Sequence, residues 1–125
     1  MKEIISSAQA PQPIGPYSQA VKVGNTLYTS GQIAINPQTG ELEMETIESE
    51  TRLVMENLKA LLHEAGMDFS HVVKCSIFIS DMNNFARINE VYGSYFTADF
   101  PARETVQVAC LPKNVNVEIS AIAVK

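Results

Sequence analysis

The segment VNVEISAIAV, residues 115–124, decides the fold of this chain. It consists almost entirely of β-branched and small apolar residues, which predict a largely buried strand. Glu118 is the only acidic residue inside it. A strand of this kind needs other strands beside it and a layer of structure over it, and the rest of the chain is expected to supply both.

The sequence before this strand alternates between strand and helix patterns. In chain order, a hairpin of two strands is expected at residues 18–23 and 26–30, followed by a helix at 46–65 and a strand at 72–79. A second helix is expected at 83–96 and a further strand at 103–110. Both helices carry apolar residues at steps of three and four, and the hairpin turns at Gly24-Asn25. One face of the strand at 72–79 is expected to carry Val73, Cys75, Ile77 and Ile79. The order ββ(β)αβαββ, with an optional third strand before the first helix, predicts an α+β fold in which two helices cover one face of a mixed sheet.

This architecture leaves the second face of the sheet uncovered. The open face is half-polar but still rich in valine, isoleucine and alanine, so water is a poor neighbour for it. Burial against copies of the same chain is the simplest remedy. The sequence therefore predicts an oligomer.

Length, composition and charge narrow the class of protein. The 125 residues amount to a single domain, residues 1–125, with no internal repeat and no linker. The chain is 46% hydrophobic and 18% charged, which is too apolar for intrinsic disorder. A net charge of −5 and scattered lysines and arginines disfavour nucleic acid as the main ligand, because nucleic-acid binders present a basic stripe. No run is apolar enough for a membrane span or a signal peptide, so the cytoplasm is the expected location.

The cysteines and histidines offer no obvious catalytic or metal site. Cys75 and Cys110 form no CxxC motif and lie in alternating apolar segments, so both are expected to be buried, reduced thiols. His63 falls off the apolar stripe of the first helix and His71 lies in a turn, so both are expected at the surface. No metal-binding spacing and no GxSxG motif occurs, and no metal is expected.

Arg103 is the most informative of the three arginines. It follows Phe-Pro-Ala at the start of a strand, whereas Arg52 and Arg87 lie on polar helix faces. By alternation it shares a strand face with Thr105. A guanidinium at the end of a sheet can hold a carboxylate through two parallel hydrogen bonds. The alternative is a structural salt bridge to an acid at the edge of the core.

Glu118 is the second candidate. A lone carboxylate in an apolar strand usually points outward or meets a buried partner. A partly buried glutamate can instead hold and polarise a water molecule, with a pKa lifted above about 4.3. Arg103 and Glu118 together would make a site that anchors a carboxylate beside a positioned water.

Six short strings are spaced along the chain. They are IGPYSQA at 14–20, TSGQI at 29–33, NPQTGE at 36–41, FPAR at 100–103, LPKN at 111–114 and VEISAIAV at 117–124. In this order, and with no large insertion between residues 10 and 124, they resemble the RidA/YjgF family of reactive-intermediate deaminases. Older names for that family are endoribonuclease L-PSP and translation inhibitor.

The resemblance implies a chorismate-mutase-like fold and a homotrimer whose three sheets form a barrel-like centre, with active sites in clefts between subunits. It implies hydrolysis of enamines and imines, such as 2-aminoacrylate and 2-aminocrotonate, to 2-keto acids and ammonia without a cofactor. Small 2-imino and 2-keto acids are then the expected ligands.

The resemblance also implies roles for individual residues. Arg103 corresponds to the arginine that clamps the substrate carboxylate, and Glu118 to the acid that orients the attacking water. Tyr17 corresponds to an aromatic that lines the cleft, and Ser30 with Gly31 to a small-residue segment that faces the ligand.

Three positions depart from the family pattern. Thr105 stands where many members have cysteine, so a cysteine nucleophile is unavailable there, although the hydroxyl or the backbone N–H could bind a carboxylate oxygen. Glu104 stands where small residues are common, and it is expected on the opposite strand face from Arg103. Ser120 replaces a second glutamate, which leaves Glu118 as the only acid candidate in its strand.

Other roles and functions remain open from the sequence. Tyr17 could simply pack and Ser30 could simply cap a strand end. A ribonuclease or translation inhibitor is disfavoured by the negative charge and by the lack of a histidine pair for acid–base cleavage. A non-catalytic trimer that binds small carboxylates is the third alternative.

Overall fold

A computed structural model describes residues 1–125, which form six strands and two helices. The strands are β1 (Lys2–Ile5), β2 (Ala20–Val23), β3 (Thr26–Thr29), β4 (Val72–Ile79), β5 (Ala102–Gln107) and β6 (Val117–Val124). The helices are α1 (Ile47–Glu64) and α2 (Phe85–Gly93). Short 3-10 turns lie at Phe69–His71, Met82–Asn84 and Pro112–Asn114.

All six strands belong to one mixed sheet in the order β1-β2-β3-β6-β4-β5. The apolar strand β6 lies between β3 and β4 and is antiparallel to both. The only parallel pair is β4 and β5, and α2 provides the crossover that a parallel connection requires. The α+β prediction with a mixed sheet is confirmed. Neither helix is both long and apolar enough to cross a membrane.

The core lies between the sheet and the two helices. Alternate residues of β4 and β6 are buried and join the apolar faces of α1 and α2 in a single cluster. Its members include Val54, Leu58, Leu62, Cys75, Ile77, Ile79, Ile88, Tyr92, Val117, Ile119, Ala121 and Ala123. Both helices therefore cover the same face of the sheet, as the sequence predicts.

The ends of α1 are fixed by local hydrogen bonds. The Thr46 hydroxyl accepts from the Ser49 N–H at 3.0 Å, and the Ser49 hydroxyl accepts from the Thr46 N–H at 3.1 Å, which is a capping box. After the helix, Gly66 adopts a left-handed φ of 74°, which glycine tolerates best. Glu48 in the first turn receives two hydrogen bonds from Arg87 of α2, at 2.7 and 2.8 Å, which lower the pKa of Glu48 to about 2. This exposed ion pair ties the two helices together.

Two strand predictions near the N-terminus were wrong. β1 was not predicted, because three of its four residues are exposed and its sequence carries only two apolar side chains. The optional third strand before α1 does not form. That segment makes only isolated bridges, from Gln32 to Ile119 and from Ile35 to Leu42.

An irregularity in β4 changes which residue faces the core. The pairing of β4 with β6 shifts between Val72 and Lys74, so Val72 is buried and Val73 is exposed. The prediction that Val73 lies on the core face was wrong, because one extra residue reverses strand alternation. The rest of the predicted face, from Cys75 onward, is buried.

The predicted helix at 83–96 and strand at 103–110 both end earlier in the structure. α2 stops at Gly93, and the aromatic residues that follow it pack against Phe69, with ring centroids 5.3 Å away for Tyr95 and 5.5 Å for Phe96. β5 stops at Gln107, which leaves Cys110 exposed. Only Cys75 is the buried thiol that the sequence analysis expected of both cysteines.

The second face of the sheet is open in a single chain. Its large exposed apolar residues are Ile4, Val23, Tyr28, Val106 and Val124. On the same face, Lys74 Nζ lies 3.0 Å from Glu104 Oε1, and the Ser76 hydroxyl donates to the Glu104 carboxylate. Glu104 therefore points away from the Arg103 face, as alternation predicts. The apolar part of this face is the surface for which the sequence predicts burial by other copies.

A buried carboxylate joins α1 to the start of β6. Glu50 is fully buried, and its two oxygens accept from the Asn116 N–H at 2.8 Å, the Asn116 side-chain amide at 2.8 Å and the Val117 N–H at 3.2 Å. A buried carboxylate is tolerated when such donors surround it. Glu50 thereby holds the first residue of β6, Val117, which directly precedes Glu118.

We expect Glu50→Ala to lower the free energy of unfolding by about 3 kcal/mol or more, because it leaves one buried and two partly buried donors without an acceptor. Urea denaturation of both proteins measures the change. Glu45→Ala is the matched control, since Glu45 is exposed just before the helix and makes no side-chain hydrogen bond or ion pair, and it should shift the urea midpoint far less. Equal shifts for the two variants would contradict the role given to Glu50.

Candidate active site

Arg103 projects from β5 on the face that the helices cover. Its register partner in β4 is the buried Cys75. The Arg103 Cζ atom lies 5.5 Å from the ring centroid of Phe85 and 5.2 Å from that of Tyr92. The side-chain oxygen of Asn89 accepts a hydrogen bond from Nη1 of the guanidinium. Two aromatic rings and one amide thus hold the guanidinium in a fixed orientation.

Arg103 has no carboxylate partner. The lysine or arginine ion pairs of the structure are Lys74 with Glu104 and Arg87 with Glu48. The structural salt bridge that the sequence left open is therefore not what holds Arg103. The guanidinium borders a cavity of about 450 Å³ that is also lined by Asn89, Tyr92, Gly93, Phe100 and Pro101. An anion that enters this cavity meets a cation whose charge no acid of the chain neutralises.

Two buried hydroxyls near Arg103 have no hydrogen-bond partner. They belong to Thr105, which lies on the same face of β5, and to Tyr92, whose ring contacts the guanidinium. Burial, with the Cys75 sulfur nearby, raises the pKa of Tyr92, so this hydroxyl stays protonated. Burial also raises the pKa of the Cys75 thiol. A buried hydroxyl without a partner costs about 1–3 kcal/mol, which a ligand oxygen would recover.

Glu118 projects from β6 into a different cavity. Its neighbours in the strand, Val117 and Ile119, are buried under the helices, so Glu118 points the other way. Its carboxyl is about half-buried with no cation beside it, and this burial raises its pKa. The carboxylate lies directly against Gly31, where a Cβ atom would come within 2.2 Å of Glu118 Oε2. Only glycine leaves room for the carboxylate in this position.

Arg103 and Glu118 do not meet within one chain. Arg103 pairs with Cys75, and Cys75 pairs with Ala121, so these three side chains share one face of the sheet. Glu118 is three residues from Ala121 and therefore lies on the opposite face. The sequence predicts that the two residues form one site, and the family resemblance implies that such sites lie between subunits. In a single chain the two residues border separate cavities.

Tyr17, Ser30 and Gly31 line the same cavity as Glu118, as their predicted roles require. This cavity has a volume of about 430 Å³. Much of its remaining wall is apolar and is formed by Pro11, Ile14, Ile33, Ile35 and Pro112. Glu118 is its only ionisable acid, so an apolar surface surrounds one carboxylate.

Ser30 and Tyr17 also make hydrogen bonds within the chain. The Ser30 hydroxyl donates to the Ser18 carbonyl at 2.5 Å, so Ser30 ties the end of β3 to the segment that precedes β2. Tyr17 is half-exposed, and its hydroxyl accepts a long hydrogen bond of 3.4 Å from the Ile14 N–H. Both residues still present their remaining surface to the cavity.

Buried amide side chains hold the irregular walls of this cavity. Asn57 of α1 donates to the carbonyls of Ile33 and Ile35, at 3.2 and 3.0 Å. Gln19 forms hydrogen bonds to residues 7–11. These bonds satisfy backbone groups that no strand or helix pairs.

The roles of Gln19, Asn57 and Asn89 were not predicted from the sequence. The spacing of Phe85, Asn89 and Tyr92 places them on one face of α2, and this pattern could have suggested a cradle for a cation. Gln19 lies inside the string IGPYSQA, but nothing in that string indicates which residue is buried. Asn57 lies in a helix of otherwise ordinary pattern and gave no signal.

The histidines lie outside both cavities. His63 is exposed, and His71 Nδ1 accepts from the Asp68 N–H at 3.0 Å in a short turn. The surface locations predicted for them are confirmed. No three His, Cys, Asp or Glu side chains are placed where together they could hold a metal ion.

The sequence matches the model of one protein family, described as endoribonuclease L-PSP, over residues 7–125. Among curated relatives, a RutC family protein of Pyrococcus horikoshii is 52% identical, over 100% of this chain and 99% of that protein. A 2-iminobutanoate/2-iminopropanoate deaminase of Dermatophagoides farinae is 52% identical over 98% of this chain and 96% of its own. The human protein of that name is 44% identical over 100% of this chain and 91% of its own.

Solved structures agree with these relatives. E. coli TdcF with bound serine superposes with a TM-score of 0.95 at 47% identity, covering 98% of both chains. The YjgF gene product of E. coli superposes with a TM-score of 0.94 at 44% identity, again over 98% of both chains. The fold, the family match and the spaced strings agree, and the chain belongs to the endoribonuclease L-PSP family, which is the RidA/YjgF family that its sequence resembles.

Proposed function

We propose that this protein hydrolyses small 2-imino acids, namely 2-iminobutanoate and 2-iminopropanoate with their enamine tautomers, to 2-keto acids and ammonia. The observation that carries the proposal is the Arg103 guanidinium, which two aromatic rings hold at a cavity without any acidic partner. Relatives that are named for this deaminase activity and are 44% to 52% identical to the chain support it.

Arg103 is assigned to the substrate carboxylate. A guanidinium is always charged and offers two parallel N–H donors that match the two oxygens of a carboxylate. The Thr105 hydroxyl, which is buried and lacks a partner, is assigned as a further donor to the same carboxylate. Charge-assisted bonds of this kind contribute about 1.5–3 kcal/mol each, enough to fix a substrate of only a few carbon atoms.

Glu118 is assigned to the attacking water. In its ionised form it accepts a hydrogen bond from the water and takes a proton as the water oxygen bonds to the imine carbon. The nitrogen of the resulting carbinolamine receives that proton, and the carbon–nitrogen bond breaks to release ammonia. The carbon–oxygen double bond forms as the hydroxyl proton passes to solvent, where it protonates the ammonia. One water is consumed, one ammonia is released and Glu118 returns to its ionised form. The carbon of a protonated imine needs little further activation, so positioning is the main requirement.

We assign the complete site to a cleft between two subunits of a homotrimer. Arg103 and Glu118 lie on opposite faces of the sheet and border separate cavities, so one chain cannot apply both to a small substrate. The open sheet face with its exposed apolar residues offers a surface for the required contact. One subunit would supply Arg103 and Thr105, and its neighbour would supply Glu118, Tyr17 and the Ser30-Gly31 segment.

A shared site predicts complementation between two inactive variants. Arg103→Ala and Glu118→Gln chains are unfolded together and refolded as a mixture, and imine hydrolysis is measured. A cleft is active when its Arg103 comes from a Glu118→Gln chain and its Glu118 from an Arg103→Ala chain. Random assembly should therefore restore about one quarter of the wild-type activity.

Each variant refolded alone is the control for this mixture and should remain inactive. If the mixture is no more active than its components while both assemble, the two residues act within one chain and the shared cleft is wrong.

For Arg103 itself, we expect Arg103→Ala to lower kcat/KM at least ~10-fold, or about 1.4 kcal/mol in transition-state binding. A threonine dehydratase supplies 2-aminocrotonate, and the formation of 2-ketobutyrate is followed. Arg52→Ala, which removes an exposed arginine without an ion pair, is the matched control and should retain wild-type activity.

Two outcomes of the same assay favour the other functions. A wild-type protein that binds 2-ketobutyrate but never accelerates imine hydrolysis would be a non-catalytic carboxylate-binding protein. RNA cleavage that persists in Arg103→Ala and weakens with added salt would restore the ribonuclease hypothesis.

The raised pKa of Glu118 gives the reaction a predictable pH dependence. Only the ionised carboxylate can take a proton from water, so kcat/KM should fall as the pH drops through that raised pKa, at a higher pH than for an ordinary glutamate. Glu118→Gln should lower kcat/KM about 100-fold or more and abolish this acidic limb. Rates are measured from pH 4 to pH 8 with the uncatalysed rate subtracted at each pH. An unchanged limb in Glu118→Gln would show that another group titrates.

A further inference from the structure

We propose that Gln19 is a positioning residue that sets how tightly the cavity beside Glu118 binds its substrate. It does so by holding the N-terminal strap, which we define as residues 7–17, as one wall of that cavity. The inference rests on the proposed function, because the affinity in question is that for the 2-imino acid.

The Gln19 side chain uses both ends of its amide on the strap. Its Oε1 accepts from the Ser7 N–H at 2.6 Å. Its Nε2 donates to the carbonyls of Ser7 at 3.0 Å, Ala10 at 3.2 Å and Pro11 at 2.8 Å. The residue is only 2% exposed. A buried amide with all of these partners contributes more to stability than a surface hydrogen bond does, because its loss leaves several backbone groups unpaired.

Almost nothing else binds the strap to the sheet by hydrogen bonds. The other hydrogen bonds of the strap join its own residues, such as Ile14 N–H to the Tyr17 hydroxyl. The one exception is a 3.4 Å contact between the exposed side chains of Gln9 and Gln38. Without Gln19, the strap would be held by packing alone, mainly at the buried Ala10.

The strap and the opposite wall of the cavity meet at Gln19. The strap contributes Pro11, Gln12, Ile14 and Tyr17 to the cavity lining. The backbone carbonyl of Gln19 accepts from the Ser30 N–H at 2.9 Å, and Ser30 with Gly31 forms the wall against Glu118. Gln19, which itself borders the cavity, is therefore hydrogen-bonded to both of its sides.

Gln19 makes no hydrogen bond to either residue assigned to the chemistry. Its partners are backbone groups of the strap and of Ser30, whereas Arg103 borders a different cavity and Glu118 belongs to β6. Loosening the strap should therefore weaken substrate binding and leave the chemical step largely intact. This split between KM and kcat separates a positioning role from a general loss of structure.

The test compares Gln19→Met with Gln9→Met. The first keeps the length of the side chain and removes all of its hydrogen bonds to the strap. The second makes the same chemical change at an exposed strap residue that does not line this cavity. In Gln19→Met, KM for 2-iminobutanoate and the Kd of 2-ketobutyrate, measured by calorimetry, should each rise ~10-fold, with kcat within about twofold of the wild-type value. Gln9→Met should match the wild type in all three.

Amide hydrogen exchange of Ser7 provides a readout that is independent of turnover. Exchange should accelerate in Gln19→Met, because the Ser7 N–H loses its acceptor. Faster exchange with unchanged KM and Kd would overturn the proposal, since the strap would then be loose without consequence. A fall in kcat with unchanged KM would also overturn it.

A second variant and the activity of the wild type keep the two proposals distinguishable. If Gln19→Met does not fold, Gln19→Asn replaces it, since asparagine keeps the amide but is one methylene too short to reach Pro11. If the wild type itself shows no imine hydrolysis, the proposed function fails, and this inference about substrate affinity falls with it. If the wild type is active and the Gln19 variants match it, the inference alone fails.

Discussion

Side chains along β4, β5 and β6 point alternately to the two faces of one sheet, and this alternation assigns each residue its surroundings. Odd-numbered residues of β6, such as Ile119, pack under the helices and form the core. Even-numbered residues, Glu118 among them, point the other way. In β5 the same alternation turns Arg103 towards α2 and Glu104 towards Lys74. The separation of the two functional candidates within one chain follows from this geometry.

The buried polar residues show where regular structure gives way. Ser7, Gln19, Gln32, Glu50, Thr51 and Asn57 are the buried polar residues of the chain. Gln19 and Asn57 satisfy backbone groups in segments that no strand pairs, and Glu50 satisfies those at the first residues of β6. Irregular backbone can be buried only if such partners exist. The irregular walls of the cavity beside Glu118 are therefore held by side-chain amides in place of strand pairing.

The sequence predicts those parts of the fold whose energetics are local. The helical periodicity of α1, the alternation of β6 and the hairpin turn at Gly24 each depend on neighbours in the chain, and each was found. β1 and the exposure of Val73 depend on pairing with distant strands, which periodicity does not record. Arg103 and Glu118 were recognised as candidates because one stands at the start of a strand and the other is the only acid in an apolar strand. The family resemblance supported both.

The arrangement of the site was harder to predict than its members. The faces of Arg103 and Glu118 follow from alternation only once the register of β4 against β5 and β6 is known. The cation–π contacts of Arg103 and the hydrogen bonds of Gln19 connect segments far apart in sequence. Such contacts depend on the tertiary structure. The sequence therefore predicts which residue types act in a site but not how they are arranged in space.

The contact between Gly31 and Glu118 also constrains how this protein can evolve. Because a Cβ at position 31 would lie 2.2 Å from Glu118 Oε2, any side chain at 31 requires the carboxylate to leave its present position. The three atoms nearest to such a Cβ all belong to Glu118, so a shorter residue at 118 would remove the closest obstacle. Substitutions at the two positions are therefore expected to be linked. Among descendants of this chain, a side chain at 31 would indicate a carboxylate that has moved or has been lost.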